Sequence, residues 1–238
     1  MLYILNVISE YLVRLINLIA LKQCTVCGKR LSIGEEVICY KCNSHLPRTY
    51  FSKNPYENIM AKMFWGQIPT EKAVAFFYYE PRSEVSRIIH SMKYFGHPEN
   101  CENMGRLFAA EIMSDGFFND VDAIVPMPLT RKRQWHRGYK QSYEMARGVS
   151  EVTNIPVLSD VVARIRFGIS QTKMSRPQRI ENVEFAFKLK KADKVKGKHI
   201  LIIDDVVTTG ASVISCAKEL SKAGDVKFSI FSLGLTRG

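Results

Sequence analysis

The segment Ile200-Leu-Ile-Ile-Asp-Asp-Val-Val-Thr-Thr-Gly-Ala-Ser212 sets two carboxylates and a run of small residues directly behind four apolar ones. Asp204 and Asp205 offer paired acceptors for a vicinal diol such as the 2' and 3' hydroxyls of ribose. Carboxylates repel phosphate, so the pair suits the sugar. Thr208, Thr209, Gly210, Ala211 and Ser212 are small enough for backbone N–H groups to approach an anion. A helix opening near Ala211 would add its positive end, which makes this a place for a 5'-phosphate. The plainer alternative is a buried strand that ends in an ordinary helix cap.

Other residues could extend that chemistry. Arg131, Arg133 and Arg137 lie in a basic stretch after Pro126-Met-Pro128, and guanidinium groups clamp phosphate oxygens in pairs. Trp135, His136 and Tyr139 interleave with these cations, a pattern that also suits stacking on single-stranded DNA. His136 as an acid or base is a weaker reading than His136 as a hydrogen-bonding residue. A second cationic run, Arg166 to Asn182, carries Arg176 and Arg179 and has the look of a lid over the site. An ordinary surface excursion is the alternative there.

Cys24-Thr-Val-Cys27 and Cys39-Tyr-Lys-Cys42 have the spacing of two metal knuckles, which together make a closed four-thiolate zinc site. A closed site is structural, since no coordination position remains for water or substrate. Paired redox motifs or incidental cysteines are the alternatives, and His45 reads as a bystander.

The elements that must position these groups follow from periodicity. Ile200 to Ile203 reads as a strand buried on both faces, so the acidic pair sits at a strand's carboxyl end, where ligands bind in open α/β sheets. Asp122 to Val125 reads as a second short buried strand, Ala73 to Tyr79 and Val157 to Val162 as others. Helical spacing covers Ser83 to Tyr94, with Ser83 as cap, Glu102 to Ser114, and Tyr139 to about Glu151. Lys188 to Lys198 reads as a lysine-rich surface loop. The alternation implies α/β architecture with a mainly parallel sheet. Three segments are expected: an amphipathic helix with the zinc ribbon at 1–48, a connector at 49–70, and the sheet domain at 71–238.

At 238 residues with 46% apolar content the chain can bury a substantial core, and its formal charge of +11 favours polyanionic partners without choosing among them. Four of the six cysteines fall in the knuckles, which argues for a reducing compartment and against a secreted disulfide scaffold. Glu10 and Arg14 interrupt the apolar amino terminus, so it reads as an amphipathic helix, not a transmembrane segment or signal peptide. Cytoplasmic placement is expected; peripheral membrane contact through that helix is the alternative.

The Asp204 to Ser212 run resembles the phosphoribosyl pyrophosphate motif of type I phosphoribosyltransferases. The order of the four-cysteine ribbon, Ile89-His-Ser-Met-Lys-Tyr94, Pro126-Met-Pro128, Arg137-Gly-Tyr-Lys-Gln141, Gln171, Arg179 to Asn182 and Asp204 to Ser212 is similar to the ComF competence-protein family, over nearly the whole chain. That resemblance implies a phosphoribosyltransferase fold with a zinc ribbon, associated in transformable bacteria with DNA uptake and an ATP-driven helicase partner. On the enzyme reading, linked to DNA uptake or to nucleotide metabolism, an unknown acceptor attacks the anomeric carbon of phosphoribosyl pyrophosphate and magnesium-bound pyrophosphate leaves. Asp204, Asp205 and Arg137 are then catalytic. Thr208, Thr209, Gly210, Ala211, Ser212, Arg131, Arg133, Arg176 and Arg179 hold substrate. The other reading keeps the pocket as a non-catalytic sensor, or as a module that binds DNA or a helicase.

Overall fold

The computed structural model describes residues 22–94, 97–130, 135, 138–165 and 186–237. The amino-terminal helix expected before residue 22 lies outside them. The chain divides into two units, Met1–Leu46 and Pro47–Gly238. In the first, a Gln23–Arg30 bridge closes the first knuckle, and a short helix α1 (Tyr40–His45) follows Cys39. The Glu35 carboxylate accepts from the Ser32 and Tyr40 N–H groups at 2.7 and 2.6 Å, and these bonds hold its pKa below the usual carboxylate value.

The second unit holds a four-stranded sheet in the order β1-β6-β5-β2, parallel throughout. In chain order its elements are α2 (Ile59–Lys62), β1 (Thr70–Tyr79), α3 (Glu84–Tyr94), α4 (Pro98–Ile112), β2 (Ala123–Pro126) and α5 (Gln141–Thr153). Then come β3 (Val162–Arg164), β4 (Phe187–Leu189), β5 (His199–Val207), α6 (Ala211–Ser221) and β6 (Lys227–Thr236). The parallel α/β expectation holds. Ile200, Leu201, Ile202 and Ile203 are each fully buried, as expected of an inner parallel strand. Ser83 caps α3 as expected, its Oγ accepting from Ser86 N at 3.1 Å.

Two expectations change. The strand expected at Val157 to Val162 is reduced to a single Val157–Ile124 bridge beside β2, and the strand proper starts at Val162. It pairs antiparallel with β4, apart from the main sheet. The lysine-rich loop expected at 188–198 begins inside β4 and continues into a 3-10 turn at Ala192–Lys194, because Phe187 and Val195 bury while the lysines between them stay in water.

Both rims of the sheet are covered by irregular chain. Along β1, Thr49 N donates to Phe76 O, Tyr78 N to Pro47 O, Ala73 N to Pro55 O, and the buried Asn58 side chain to Ala73 O. Along β2, Ile124 N donates to Pro156 O and accepts through its carbonyl from Leu158 N.

Helices α4 and α5 cross with almost no space between their backbones. A Cβ on Gly148 would sit 1.9 Å from Glu102 O, and one on Gly105 would sit 2.2 Å from Met145 O. Ion pairs Arg147–Glu102 and Arg106–Glu151 flank the crossing.

Lys72, only 5% exposed, donates to the carbonyls of Gly116, Phe117 and Asn119 at 3.1, 3.3 and 3.1 Å. Burial lowers its pKa, and the three carbonyls accept its hydrogen bonds in place of water. Lys72→Met is therefore expected to lose about 3 kcal/mol of stability, because three carbonyls in a tight turn lose their donor together. Urea denaturation checks this; a midpoint unchanged from wild type would contradict it.

Candidate functional site

The acidic pair lies where β5 runs out. Asp205 N donates to Asp204 Oδ1 at 2.9 Å and Val206 N to Asp205 Oδ1 at 2.8 Å, so each carboxylate is held by the next residue's backbone. Beyond Val207, Thr208 and Thr209 are exposed, and Gly210 takes φ +73 as the cap of α6. A side chain on Gly210 would be strained in that conformation, and its Cβ would press on the buried Phe64 ring at 3.0 Å. Ala211 and Ser212 open the helix, where backbone N–H groups have no intrahelical acceptor. Asp204, Asp205, Thr208, Thr209, Gly210, Ala211 and Ser212 thus form one continuous strand-loop-helix edge.

The neighbouring strand ends beside it. Met127 N donates to Ile203 O at 2.9 Å, which brings Pro126-Met-Pro128 alongside the last residue before Asp204. The basic segment leaves from there and returns at Tyr139, whose hydroxyl donates to Met92 O at 2.8 Å. Arg131, Arg133 and Arg137 themselves, with His136, lie outside the described residues. So do Arg176 and Arg179, in the run between β3 and β4.

Two cations approach the acidic pair that the motifs did not single out. Lys93, at the last turn of α3, reaches Asp205 Oδ2 at 2.7 Å, and the charge of Arg164 from β3 acts on Asp204. Burial, followed by the charge of Asp205, pushes the Asp204 carboxyl up to about 7, opposed by Lys93 and Arg164. Lys93 stands within the Ile89 to Tyr94 motif, which was the available signal. Its partner is distant in sequence and could not be read there.

In the first unit the sulfurs of Cys24, Cys27, Cys39 and Cys42 all lie within 4.8 Å of one another, with Cys27 and Cys39 3.9 Å apart. Tetrahedral zinc–thiolate bonds of about 2.3 Å put sulfurs about 3.8 Å apart, so the donor set fits such an ion. Burial alone would raise the Cys24 thiol, but N–H groups led by that of Cys39 bring it down to about 7. This four-cysteine cluster can hold a metal ion such as zinc.

Residues 137–230 match the phosphoribosyl transferase domain family. Over 213 residues, spanning 88% of both chains, the sequence is 30% identical to DNA utilization protein YhgH of Escherichia coli (strain K12). The chain belongs to the ComF family. Competence protein F of Haemophilus influenzae is 32% identical to this ComF-family chain over 113 residues, 47% of this chain and 49% of that protein. A glutamine phosphoribosylpyrophosphate amidotransferase from B. subtilis is similar at 21% identity and a TM-score of 0.40, over 60% of this chain and 30% of that one. The ComF-family member therefore combines a phosphoribosyltransferase-like parallel α/β domain with an amino-terminal four-cysteine cluster. Among its described residues no helix is long and apolar enough to cross a membrane.

Proposed function

We propose that this chain binds phosphoribosyl pyrophosphate with magnesium at the β5–α6 edge and acts as a phosphoribosyltransferase-like component of DNA utilisation, placed in the cytoplasm. The observation that carries the reading is the acidic pair joined without interruption to the α6 amino terminus, acceptors for a diol beside donors for a phosphate. Asp204 and Asp205 would take the ribose hydroxyls and favour positive charge developing on the sugar. Thr208 to Ser212 would hold the 5'-phosphate, and Arg131, Arg133, Arg137, Arg176 and Arg179 would support the pyrophosphate and its departure. Magnesium would be held mostly by ligand oxygens and water and would neutralise the leaving group. Zinc would be held by Cys24, Cys27, Cys39 and Cys42 in a structural role.

Isothermal calorimetry with phosphoribosyl pyrophosphate and magnesium tests the site. Asp205→Asn is expected to weaken binding about 10- to 100-fold, the loss that follows removal of one charged hydrogen-bonding partner. Affinity equal to wild type would refute the assignment. Gly210→Val is a poor probe of the phosphate, since its first effects fall on the loop's φ and on Phe64.

Pyrophosphate release in the presence of candidate acceptors separates turnover from a sensing role. The relatives' names, DNA utilization protein and competence protein, favour a task connected with DNA. Single-stranded DNA on the basic 131–140 segment is the direct form of that task, and a competence helicase as partner is the indirect form.

A further inference from the structure

The Asp205 carboxylate is not waiting open for a ligand. Lys93 Nζ lies 2.7 Å from its Oδ2, with side-chain exposures of 22% and 16%, so the ion pair is largely withdrawn from water. The turn that carries Lys93 is held in place. Met92 O accepts from the Tyr139 hydroxyl at 2.8 Å and from the buried Cys101 thiol at 3.6 Å. The charges of Asp205, Lys93 and Arg164 from β3 act on the neighbouring Asp204, whose own charge acts on the Cys216 thiol of α6, while that of Asp205 acts on the Cys101 thiol of α4. A withdrawn ion pair is costly to break on one side, because the charge left behind has neither water nor partner.

That cost falls unequally on different ligands. Resting on the reading of the β5–α6 edge as a ribose-phosphate site, we propose that the Lys93–Asp205 pair is a specificity device that admits ligands carrying a vicinal diol and an anionic group close to it on one sugar. A diol that takes Asp205 displaces the ammonium, which is repaid only if the same ligand brings an anion to Lys93. An anion alone draws Lys93 away and strands Asp205 beside Asp204. A sugar with a diol but no anion near it strands Lys93. Phosphoribosyl pyrophosphate satisfies both partners in one exchange, whereas ribose 5-phosphate lacks the anion at carbon 1, and free pyrophosphate lacks the diol. Selection thus comes from what the wrong ligand leaves unpaired, as much as from what the right one contacts.

The experiment compares phosphoribosyl pyrophosphate, ribose 5-phosphate and pyrophosphate by calorimetry on wild type, Lys93→Met and Lys93→Arg. Wild type is expected to prefer phosphoribosyl pyrophosphate over ribose 5-phosphate by about 100-fold, and Lys93→Met to reduce that ratio to below about 10-fold, as loss of a desolvated charge partner predicts. The change should come from tighter ribose 5-phosphate binding, since no ammonium is left stranded, together with weaker phosphoribosyl pyrophosphate binding, and Lys93→Arg should restore most of the ratio. Equal weakening of both sugars would overturn the proposal and leave Lys93 a purely structural residue.

A second arm needs no ligand. Carbon-13 NMR titration of the aspartate carboxyls should show Asp204, on which the Lys93 charge acts, titrating at higher pH in Lys93→Met than in wild type, and near wild type in Lys93→Arg. No displacement would overturn the pairing. Displacement without any sugar binding by wild type would instead mark the failure of the ribose-phosphate reading, and with it of the selectivity built on it.

Discussion

Gly148→Ala is expected to destabilise the sheet unit by roughly 3 kcal/mol or more, the upper range for overpacking, although alanine is the better helix former by about 1 kcal/mol. The new methyl would stand 1.9 Å from Glu102 O and within 2.8 Å of Arg106 N. These are backbone atoms of α4, so no side-chain rotation can relieve the contact. The two helices must separate, and the Arg147–Glu102 and Arg106–Glu151 pairs separate with them. Gly105→Ala should act alike through Met145 O. Since either variant opens the same crossing, the double variant should cost less than the sum of the two. Guanidinium denaturation decides this: wild-type stability in Gly148→Ala, or strict additivity in the double variant, would contradict the packing described. A displaced α5 would also pull on Tyr139, so weaker ligand binding should accompany the loss.

Cys39→Ser is expected to abolish stoichiometric metal and to unfold the first unit, while the second keeps its thermal transition and the ligand binding proposed for its β5–α6 edge. Few side chains of residues 22–46 are buried, among them Cys24, Val26, Val37 and Ile38. So small a core cannot offset the entropy of ordering the chain without a metal. Metal analysis of protein purified without added zinc, with limited proteolysis of both forms, provides the measurement. Full metal content in the variant, or equal resistance of the 22–46 segment to protease, would contradict the four-thiolate assignment.

The parts most legible in the sequence are those whose causes are local. Ile200 to Ile203 cannot avoid burial, and the knuckle spacing brings each cysteine pair together within a few residues. Strand β6 is much harder to read, although it lies inside the sheet between β1 and β5. Ser229, Ser232 and Gly234 break its apolar run, and their reasons lie elsewhere: Ser229 pairs with His199 at 2.9 Å, and a Cβ on Gly234 would meet Tyr79 and Ile89. The short β3 and β4 carry too few residues for a period to show. Gly105 and Gly148 read as weak points of their helices until the partner backbone is in view. Of the candidate site, the carboxylates and the loop after them are visible as a motif. Lys93 falls inside the Ile89 to Tyr94 motif, but its pairing with Asp205 is not visible, because an ion pair across more than a hundred residues of chain leaves no trace in spacing.

The covered rims of the sheet bear on how this protein behaves among its own copies. A parallel sheet of four strands would ordinarily present two rows of unsatisfied backbone groups, each a template for a foreign strand. Here the chain around Pro47 to Pro55 takes groups along one rim, and Pro156 with Leu158 takes them along the other. Prolines recur in both coverings, and a residue without an N–H cannot itself extend a ladder. Growth of the sheet from one molecule into the next is blocked at both ends, which protects a chain rich in buried β-branched residues from aggregation by edge pairing.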